Sequence, residues 1–387
     1  MSGATRVPRP DRETALGAGT KSADSFHIES HKALLQQPPA AAAGRTLDAV
    51  IVPTIRPQSL RPAAMLAKEL GCALVVLCST QEQAGRASLE LGYSSDSVLV
   101  TSVPRSTEGR LLPSRLMFRH PQNDIARSCH IDIARKRNVG MMLARLCGWR
   151  TIMYLDDDIR GVMASAVSGV ARLSSGFSAA GFQIGHFPDN SVVCHAYRLS
   201  GGNQDIFPGG SALVVDADRY HSLFPPIYNE DWLFLFDAVH SHSVAIAGTL
   251  TQLKYRPFAR RERAASEEFG DVVAEGLFRL LHESMDLADA AYGYWEEALD
   301  RRRRLIEDIA ARLLLLDNDE PEIGYALMSL AEAHKRLKMI SALDCVSFVH
   351  AWRTDLSAWR QKLCDQRVVG DLADAAKFLD LPSQNGA

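Results

Sequence analysis

The feature that most constrains the fold is a regular alternation of short apolar segments with helical segments in the first half of the chain. Apolar runs at 47–53, 73–78 and 97–100 are typical of buried strands. Between them, 59–70 and 82–91 carry apolar residues at helical spacing, and a glycine follows each segment. Strands and helices that alternate in this way form βαβ units, so the sequence predicts an α/β fold with a mostly parallel sheet flanked by helices.

The pattern continues further along the chain. A strong helix is predicted at 132–146, followed by a strand at 151–155. Later apolar stretches at 191–196, 212–215 and 244–247 are predicted to be further strands of the same sheet.

Composition divides the chain into three parts. Residues 1–45 are rich in Ala, Gly, Pro and Ser and are predicted to form a disordered leader, with room for a helical turn or two near 27–35. Residues 46–270 are predicted to form the α/β domain. Residues 271–387 have an almost continuous helical pattern and are predicted to form a helical C-terminal subdomain.

Charge and cysteine usage exclude several classes of protein. The chain has 43 basic and 46 acidic residues and a formal net charge of −3, so nucleic acid is not a predicted partner. Its seven cysteines include no Cys-x-x-Cys pair, which argues against a zinc site or a disulfide framework and favours the cytoplasm. No apolar run approaches the roughly 18–20 residues that span a bilayer, so no transmembrane segment is predicted. A peripheral membrane contact stays open.

Three consecutive carboxylates, Asp156, Asp157 and Asp158, follow directly on the strand predicted at 151–155. At the carboxyl end of a parallel strand they face the crevice where open α/β sheets bind ligands. Carboxylate oxygens are hard ligands that suit Mn²⁺ or Mg²⁺. Because alternate residues of an extended segment point the same way, Asp156 and Asp158 are the predicted metal ligands. A solvated acidic turn or a helix N-cap is the alternative interpretation.

Three further motifs accompany this acidic triplet. The segment 134–140 reads ARKRNVG and opens the helix before the acidic strand, 207–211 reads FPGGS, and 228–232 reads YNEDW. Together with YLDDD, they resemble the GT-A fold glycosyltransferases, especially the family-2-like inverting enzymes. The three-aspartate form is similar to the variant of the DxD motif in galactofuranosyltransferases. The resemblance covers roughly residues 47–260, and it implies a GT-A-like, that is Rossmann-like, domain.

The resemblance also implies an activity. Such an enzyme moves a sugar from a nucleotide-diphosphate sugar to an acceptor hydroxyl, with inversion, and needs Mn²⁺ or Mg²⁺. In that family the Glu-Asp motif supplies the catalytic base, which implies that Asp231 is the base and that Glu230 orients the acceptor. Alternatively, Glu230 and Asp231 merely cap a helix and interact favourably with its dipole. The acceptor is not identified by the sequence.

A donor-binding set follows from the same resemblance. The loop after the first strand holds the nucleotide in that family, and Pro53, Thr54 and Arg56 occupy its place. Arg137 is predicted to pair with the donor diphosphate because guanidinium suits phosphate oxygens, although a solvated basic face is an equal alternative. The predicted donor-binding residues are Pro53, Thr54, Arg56, Arg137, Asp156, Asp157, Gly209 and Gly210. The family often has an acidic residue after the second strand, where this chain has Cys78-Ser79-Thr80.

Two other functional classes remain open at this point. A metal-dependent nucleotidyltransferase or a sugar-nucleotide mutase also uses an acidic metal site at a strand end. The chain lacks the glycine-rich, lysine-containing loop expected of a nucleotidyltransferase after the first strand. A non-catalytic nucleotide-binding protein is the third class, since a fold does not fix a function.

Overall fold

The computed structural model describes residues 27–38, 44–92, 95–107, 111, 129–188, 190–316 and 320–382 of the 387-residue chain. Two stretches of the predicted leader, 1–26 and 39–43, lie outside these described residues.

An eight-stranded sheet forms the centre of the described fold, in the order β3-β2-β1-β4-β7-β6-β8-β5. The strands are β1 Ala49–Thr54, β2 Ala73–Cys78, β3 Val98–Ser102, β4 Thr151–Leu155, β5 Ile159–Arg160, β6 Ala179–Gly185, β7 Ala212–Asp216 and β8 Val244–Gln252. Neighbours among the first four strands are parallel. Strand β7 runs antiparallel to β4 and β6, and β5 runs antiparallel to β8. The predicted α/β class is confirmed, but the sheet is mixed in its second half.

Eleven helices are found in the described residues. They are α1 Arg61–Leu70, α2 Gln81–Leu91, α3 Cys129–Cys147, α4 Ala164–Leu173, α5 Val192–Leu199, α6 Glu230–His240, α7 Glu262–His282, α8 Tyr292–Leu314, α9 Pro321–Leu337, α10 Ala342–Asp365 and α11 Leu372–Phe378. The predicted boundary between residues 270 and 271 falls inside α7, because the helix continues through it.

Helix α3 packs closely on the central strands β1 and β4. A Cβ atom at Gly140 would lie 2.9 Å from Cγ2 of Ile51 and 3.2 Å from Cε1 of Tyr154, so a larger side chain would push the helix away from the sheet. Both strands are buried along their whole length. This contact fixes the residues of α3 relative to the end of β4, where the acidic triplet begins.

The hydrophobic core occupies both faces of the sheet. One cluster includes α1, α2 and α4 residues packed on the sheet. The other is continuous from β1, β4 and α3 into the C-terminal helices, where Trp295, Trp352 and Trp359 are fully buried. The C-terminal helices therefore share a core with the sheet. Among the described helices, none combines the length and the apolar character of a membrane-spanning segment.

One predicted strand is a helix. Residues 191–196 were expected to be extended, but α5 begins at Val192. The hydroxyl of Ser191 accepts a hydrogen bond from the amide of Cys194 at 3.3 Å, and Glu267 accepts one from the amide of Val192 at 2.8 Å. These capping bonds satisfy amides that have no partner inside a helix, so the segment starts a helix despite its β-branched residues. The strands predicted at 212–215 and 244–247 are confirmed as β7 and β8.

The segment 27–38 is ordered, which corrects part of the leader prediction. A short 3₁₀ turn spans Lys32–Leu34, and Gln36 forms a parallel bridge with Ala245 of β8. The rings of His27 and His31 are buried. The segment is ordered because it pairs with a strand and buries two rings, neither of which its composition reveals.

Candidate functional site

The acidic triplet leaves β4 as a turn. The amide of Asp156 donates to the carbonyl of Ser211 at 2.8 Å, and the amide of Ile159 donates to the carbonyl of Asp156 at 3.2 Å. Because the backbone turns, Asp156 and Asp158 are not successive outward positions of one extended strand. The premise of one extended segment is therefore wrong, and each of these two carboxylates has a different arginine partner.

Arg56 pairs with the second and third carboxylates. Its Nη2 atom contacts Asp157 and lies 2.9 Å from Oδ2 of Asp158. The amide of Arg56 also donates to Oδ2 of Asp157 at 3.3 Å. The side chain of Asp157 is 3% exposed and that of Asp158 is 15% exposed. Asp157 is thus an anchored member of the triplet, and Asp158 is a more accessible one.

Two of the residues predicted to bind the donor lie beneath the triplet. Pro53 is buried inside β1, opposite Leu77. Thr54 is also buried, and its hydroxyl donates to the carboxylate of Asp157. Thr54 therefore supports the triplet, and neither of these two buried side chains lines an open surface. Arg56, whose side chain is 43% exposed, is the residue of this loop that can reach a ligand.

Arg137 connects the triplet to the Glu-Asp motif. Its Nη2 atom lies 3.1 Å from each carboxylate oxygen of Asp156, and its Nη1 atom donates to Oε1 of Glu230. The hydroxyl of Tyr154 donates to the carbonyl of Arg137 at 2.8 Å. The segment 135–137 is buried, which excludes the alternative of a solvated basic face. In this structure Arg137 binds two carboxylates, so its predicted contact with a diphosphate would require a change of partners.

The Glu-Asp motif begins α6. Glu230 is buried against Arg137, whereas Asp231 is half-buried. Oδ2 of Asp231 accepts a hydrogen bond from the amide of Gly210 at 2.7 Å, and Oδ1 accepts one from the amide of Trp232 at 2.9 Å. Each carboxylate oxygen has a second lone pair, so Asp231 keeps the capacity to accept a proton.

The two glycines of the FPGGS segment are needed at close contacts. A Cβ atom at Gly209 would collide with the carboxylate of Asp231, and one at Gly210 would collide with the guanidinium of Arg137. A larger residue at either position would push the charged group away from its present partners, so glycine keeps these contacts in place. The structure therefore brings four sequence motifs together, namely the helix-opening arginine, the acidic triplet, the glycine pair and the Glu-Asp pair.

The site carries an excess of negative charge. The carboxylates of Asp156, Asp157, Asp158, Glu230 and Asp231 are accompanied by the guanidinium groups of Arg56 and Arg137. Burial raises the pKa of Asp156 and of Glu230, and the charge of Arg137 offsets only part of that rise. Asp156 and Glu230, whose pKa values rise to about 7 and about 8, are therefore only partly ionised at neutral pH, and a bound cation would favour their ionised forms.

The residues fit a divalent metal in type but not as a preformed cage. Carboxylate oxygens suit Mn²⁺ and Mg²⁺, and the side chain of Asp156 is 22% exposed. Within the described part of the chain, no three His, Cys, Asp or Glu side chains are grouped to hold a metal ion. A bound ion would therefore take one or two carboxylates here and complete its shell with water and substrate phosphates, as Mg²⁺ commonly does.

A cleft of about 640 Å³ lies elsewhere, between the edge strand β3 and helix α11. Its lining, which includes Val98, Leu372 and Lys377, contains none of the residues described above. The pairing of charges, rather than cavity size, identifies the candidate site, because the chemistry requires convergent titratable groups.

Lys136 is a buried residue of the site that the sequence motifs do not single out. Its Nζ donates to the carbonyl of Thr54 at 2.9 Å and to the hydroxyl of Ser79 at 2.8 Å, and it lies 2.7 Å from Asp132. Lys136 thus ties the ends of β1 and β2 to α3 below the site. The four-residue spacing of Asp132 and Lys136 on a predicted helix was an available signal.

Comparisons with known proteins add little to this geometry. No protein-family profile and no curated protein matches the chain. A solved structure that is similar is the mannosyltransferase PcManGT from Pyrobaculum calidifontis in complex with GDP-Man and Mn²⁺, at 14% sequence identity. The similarity covers 84% of this chain and 92% of that one, with a TM-score of 0.36. At that TM-score the likeness assigns neither a fold family nor an activity.

Proposed function

We propose that this chain is a metal-dependent glycosyltransferase with a GT-A-like domain. It would move a sugar from a nucleotide-diphosphate sugar to an acceptor hydroxyl, with inversion at the anomeric carbon. The cytoplasmic location, the nucleotide-sugar partner and the use of Mn²⁺ or Mg²⁺ belong to the same proposal.

The observation that carries the proposal is the pair of bonds made by Arg137. This single guanidinium contacts Asp156 at the end of β4 and Glu230 at the start of α6. A predicted metal ligand and the predicted catalytic motif, far apart in sequence, therefore share one arginine. Asp231 follows Glu230 and is oriented by the amide of Gly210.

The residues of the site suggest a division of roles. Asp231 would take the proton of the acceptor hydroxyl as that oxygen attacks the anomeric carbon. The bond between the anomeric carbon and the diphosphate oxygen then breaks, and its electron pair leaves with the diphosphate. Glu230 is unsuited to be the base, because it is buried and paired with Arg137. Its role would be to hold the first turn of α6 and, through it, the acceptor.

The donor would bind at the acidic triplet. Asp156 and Asp158 would hold the metal, which supplies positive charge to the diphosphate leaving group. Asp157 would keep the turn in place, since it is anchored by Thr54 and Arg56. Arg56 would turn from the aspartates to the diphosphate, a bidentate partner that guanidinium suits.

A thermal-shift screen tests the proposal. UDP-glucose, UDP-galactose, UDP-N-acetylglucosamine and GDP-mannose are added with and without Mn²⁺, and the donor that raises the melting temperature is assayed for release of nucleoside diphosphate. We expect a donor shift that depends on Mn²⁺, because a ligand that binds only the native state stabilises it. Asp158→Asn should reduce that shift, while Asp96→Asn, a change at an exposed acid just before the edge strand β3, should leave it unchanged.

Three results would count against this function. If no nucleotide sugar shifts the melting temperature with Mn²⁺, the donor site does not exist. Release of pyrophosphate instead of nucleoside diphosphate would indicate a nucleotidyltransferase. Full Mn²⁺-dependent turnover by Asp158→Asn would remove the metal assignment.

A further inference from the structure

The residue before the Glu-Asp pair has an unusual backbone. Asn229 has φ of 59° and ψ of 34°, which is the left-handed region, and α6 begins directly after it. Non-glycine residues adopt this region with a steric cost, although asparagine tolerates it best. The conformation of Asn229 sets the direction in which Glu230 and Asp231 leave the preceding loop.

A buried carboxylate from another helix holds Asn229 in place. Nδ2 of Asn229 donates to Oδ1 of Asp271 on α7 at 2.8 Å. The other oxygen, Oδ2, accepts from Nη2 of Arg302 on α8 at 2.6 Å. Arg302 also binds both carboxylate oxygens of Glu268, each at 2.8 Å. The side chains of Glu268, Asp271 and Arg302 are all at most 5% exposed, so none of them faces a ligand.

The backbone of α7 also lies directly against the loop that precedes α6. A Cβ atom at Gly270 would collide with the carbonyl group and Cα of Tyr228, one residue before Asn229. Helix α7 therefore lies against the loop that leads into α6, independently of the hydrogen bond at Asp271. A contact this close leaves the loop little freedom to shift.

We propose that Asn229, Asp271 and Arg302 position the Glu-Asp pair for catalysis. They are positioning residues: Arg302 fixes Asp271, Asp271 fixes the amide of Asn229, and Asn229 fixes the first turn of α6. The C-terminal helices thereby determine where the carboxylate of Asp231 lies relative to the acidic triplet. This inference rests on the proposed function, because it takes Asp231 as the base. A displacement of about 1 Å at a reacting group lowers a rate by as much as 100-fold, which is the scale of effect expected.

Asn229→Gly is the first test variant. Glycine adopts φ of 59° without strain, so the fold should persist while the hydrogen bond to Asp271 is lost. We expect kcat for nucleoside diphosphate release to fall by about 10- to 100-fold. The dissociation constants of Mn²⁺-UDP and Mn²⁺-GDP should not change, and the melting temperature should fall only by the few degrees that the loss of one buried hydrogen bond implies. Asn203→Gly, in an exposed loop, is the matched control and should behave as the wild type.

An exchange of the two side chains provides the rescue. Asn229→Asp places two carboxylates against each other and should lose more activity than Asn229→Gly. Asp271→Asn added to it restores a donor and an acceptor in the reverse order, while the new amide oxygen still accepts from Arg302. The double variant should recover most of the lost kcat. Recovery of this kind is not expected if the residues only add general stability.

Hydrogen exchange of the amides in 228–233 gives a readout that does not need turnover. Asn229→Gly should increase exchange there by at least about tenfold, because local opening becomes easier. Unchanged exchange together with unchanged kcat overturns the positioning role, and so does a loss of kcat that merely follows the fraction of unfolded protein. Asp231→Asn separates the two levels of the proposal. If it retains full turnover, the proposed function fails; if it abolishes turnover while Asn229→Gly does not lower kcat, only the positioning role fails.

Discussion

Two arginines in this molecule have the same arrangement but different surroundings. Arg137 lies between Asp156 and Glu230 at the end of the sheet, and Arg302 lies between Glu268 and Asp271 among the C-terminal helices. Burial raises the pKa of all four carboxyl groups. Asp156 is nevertheless 22% exposed, whereas Glu268 and Asp271 are closed off from solvent.

The difference indicates what each group does. Around Arg302, the carboxylates are bound on several sides and one of them holds a backbone turn, which is what a structural clamp requires. Around Arg137, further carboxylates lie nearby and two of the triplet are reachable from outside. Buried ion pairs contribute little net stability, so an open cluster with excess charge is better explained by a ligand than by folding.

We call the carboxylates around Arg137 the open site. The removal of one charge there should distinguish the roles of the two regions most clearly. Asp231→Asn should lower turnover by about 100- to 10,000-fold, the range attributed to a positioned general base. Its free energy of unfolding should change by less than about 1 kcal/mol, because Asp231 is half-buried and the amide side chain keeps an oxygen for Gly210. Donor hydrolysis and urea unfolding measure the two effects. A variant with undiminished turnover would contradict the assignment of the base.

The opposite outcome is expected at Arg302, Glu268 and Asp271, which form the closed cluster. Arg302→Met leaves two buried carboxylates without their cation, which should lower the free energy of unfolding by about 3–5 kcal/mol. Urea unfolding followed by circular dichroism measures it. Arg304→Met, on the exposed side of the same helix, is the control and should change stability by no more than about 0.5 kcal/mol. If Arg302→Met is as stable as the control, the cluster is not a clamp.

A pH dependence should arise from two buried histidines. Burial lowers the pKa of His195 to about 3 and that of His130 to about 4. Below pH 6.5 the unfolded chain takes up protons that these rings in the folded chain do not, so stability is lost as the pH falls from about 6.5 toward 4. At about 1.4 kcal/mol per pH unit, each ring should account for about 3 kcal/mol of that loss.

Two variants separate the contribution of His195 to this loss of stability from that of the carboxyl groups. His195→Phe should flatten the curve of unfolding free energy against pH between 6.5 and 4, while the exposed His350→Gln should leave it as in the wild type. Urea unfolding at four pH values provides the curve. Identical slopes for both variants would show that His195 is not kept neutral by burial.

The smallest predicted effect concerns Arg56, the partly exposed cation of the open site. Arg56→Gln should bind Mn²⁺ alone about 3- to 10-fold more tightly, because the metal no longer has to displace Arg56 from Asp157 and Asp158. The effect is small because an exposed ion pair contributes at most about 1 kcal/mol. The same variant should bind Mn²⁺-UDP or Mn²⁺-GDP more weakly than the wild type, since a diphosphate partner is lost. Titration calorimetry gives both constants. Weaker binding of Mn²⁺ alone would show that Arg56 does not compete with the metal.

Local patterns predicted much of the sheet and the composition of the site. The strands from β1 to β4 and the helices between them follow apolar periodicity. The triplet, the glycine pair and Glu230–Asp231 were chosen as separate motifs, and the structure brings them together around Arg137. Such motifs are visible because each is short and contiguous. Their roles in catalysis stay a prediction.

What the sequence did not predict depends on distant contacts. The turn at Asp157–Asp158 is fixed by Arg56, about a hundred residues earlier in the chain. The start of α5 is capped by Glu267, 75 residues later. Asp271 lies inside α7 and is a buried partner of Asn229, 42 residues earlier in the chain. Periodicity reports which face of an element is apolar, but not which charged groups meet inside the fold.

The ordered segment 27–38 affects where the chain can be shortened. The ring of His31 packs edge-on against Trp232 and Phe278, and its nitrogens contact Glu275 and His282. A protein trimmed to the composition boundary near residue 45 would leave this aromatic patch open to water, next to the helix that carries Asp231. The segment 27–38 packs between the sheet and the helices. Its removal should therefore lower stability as the deletion of a core side chain does.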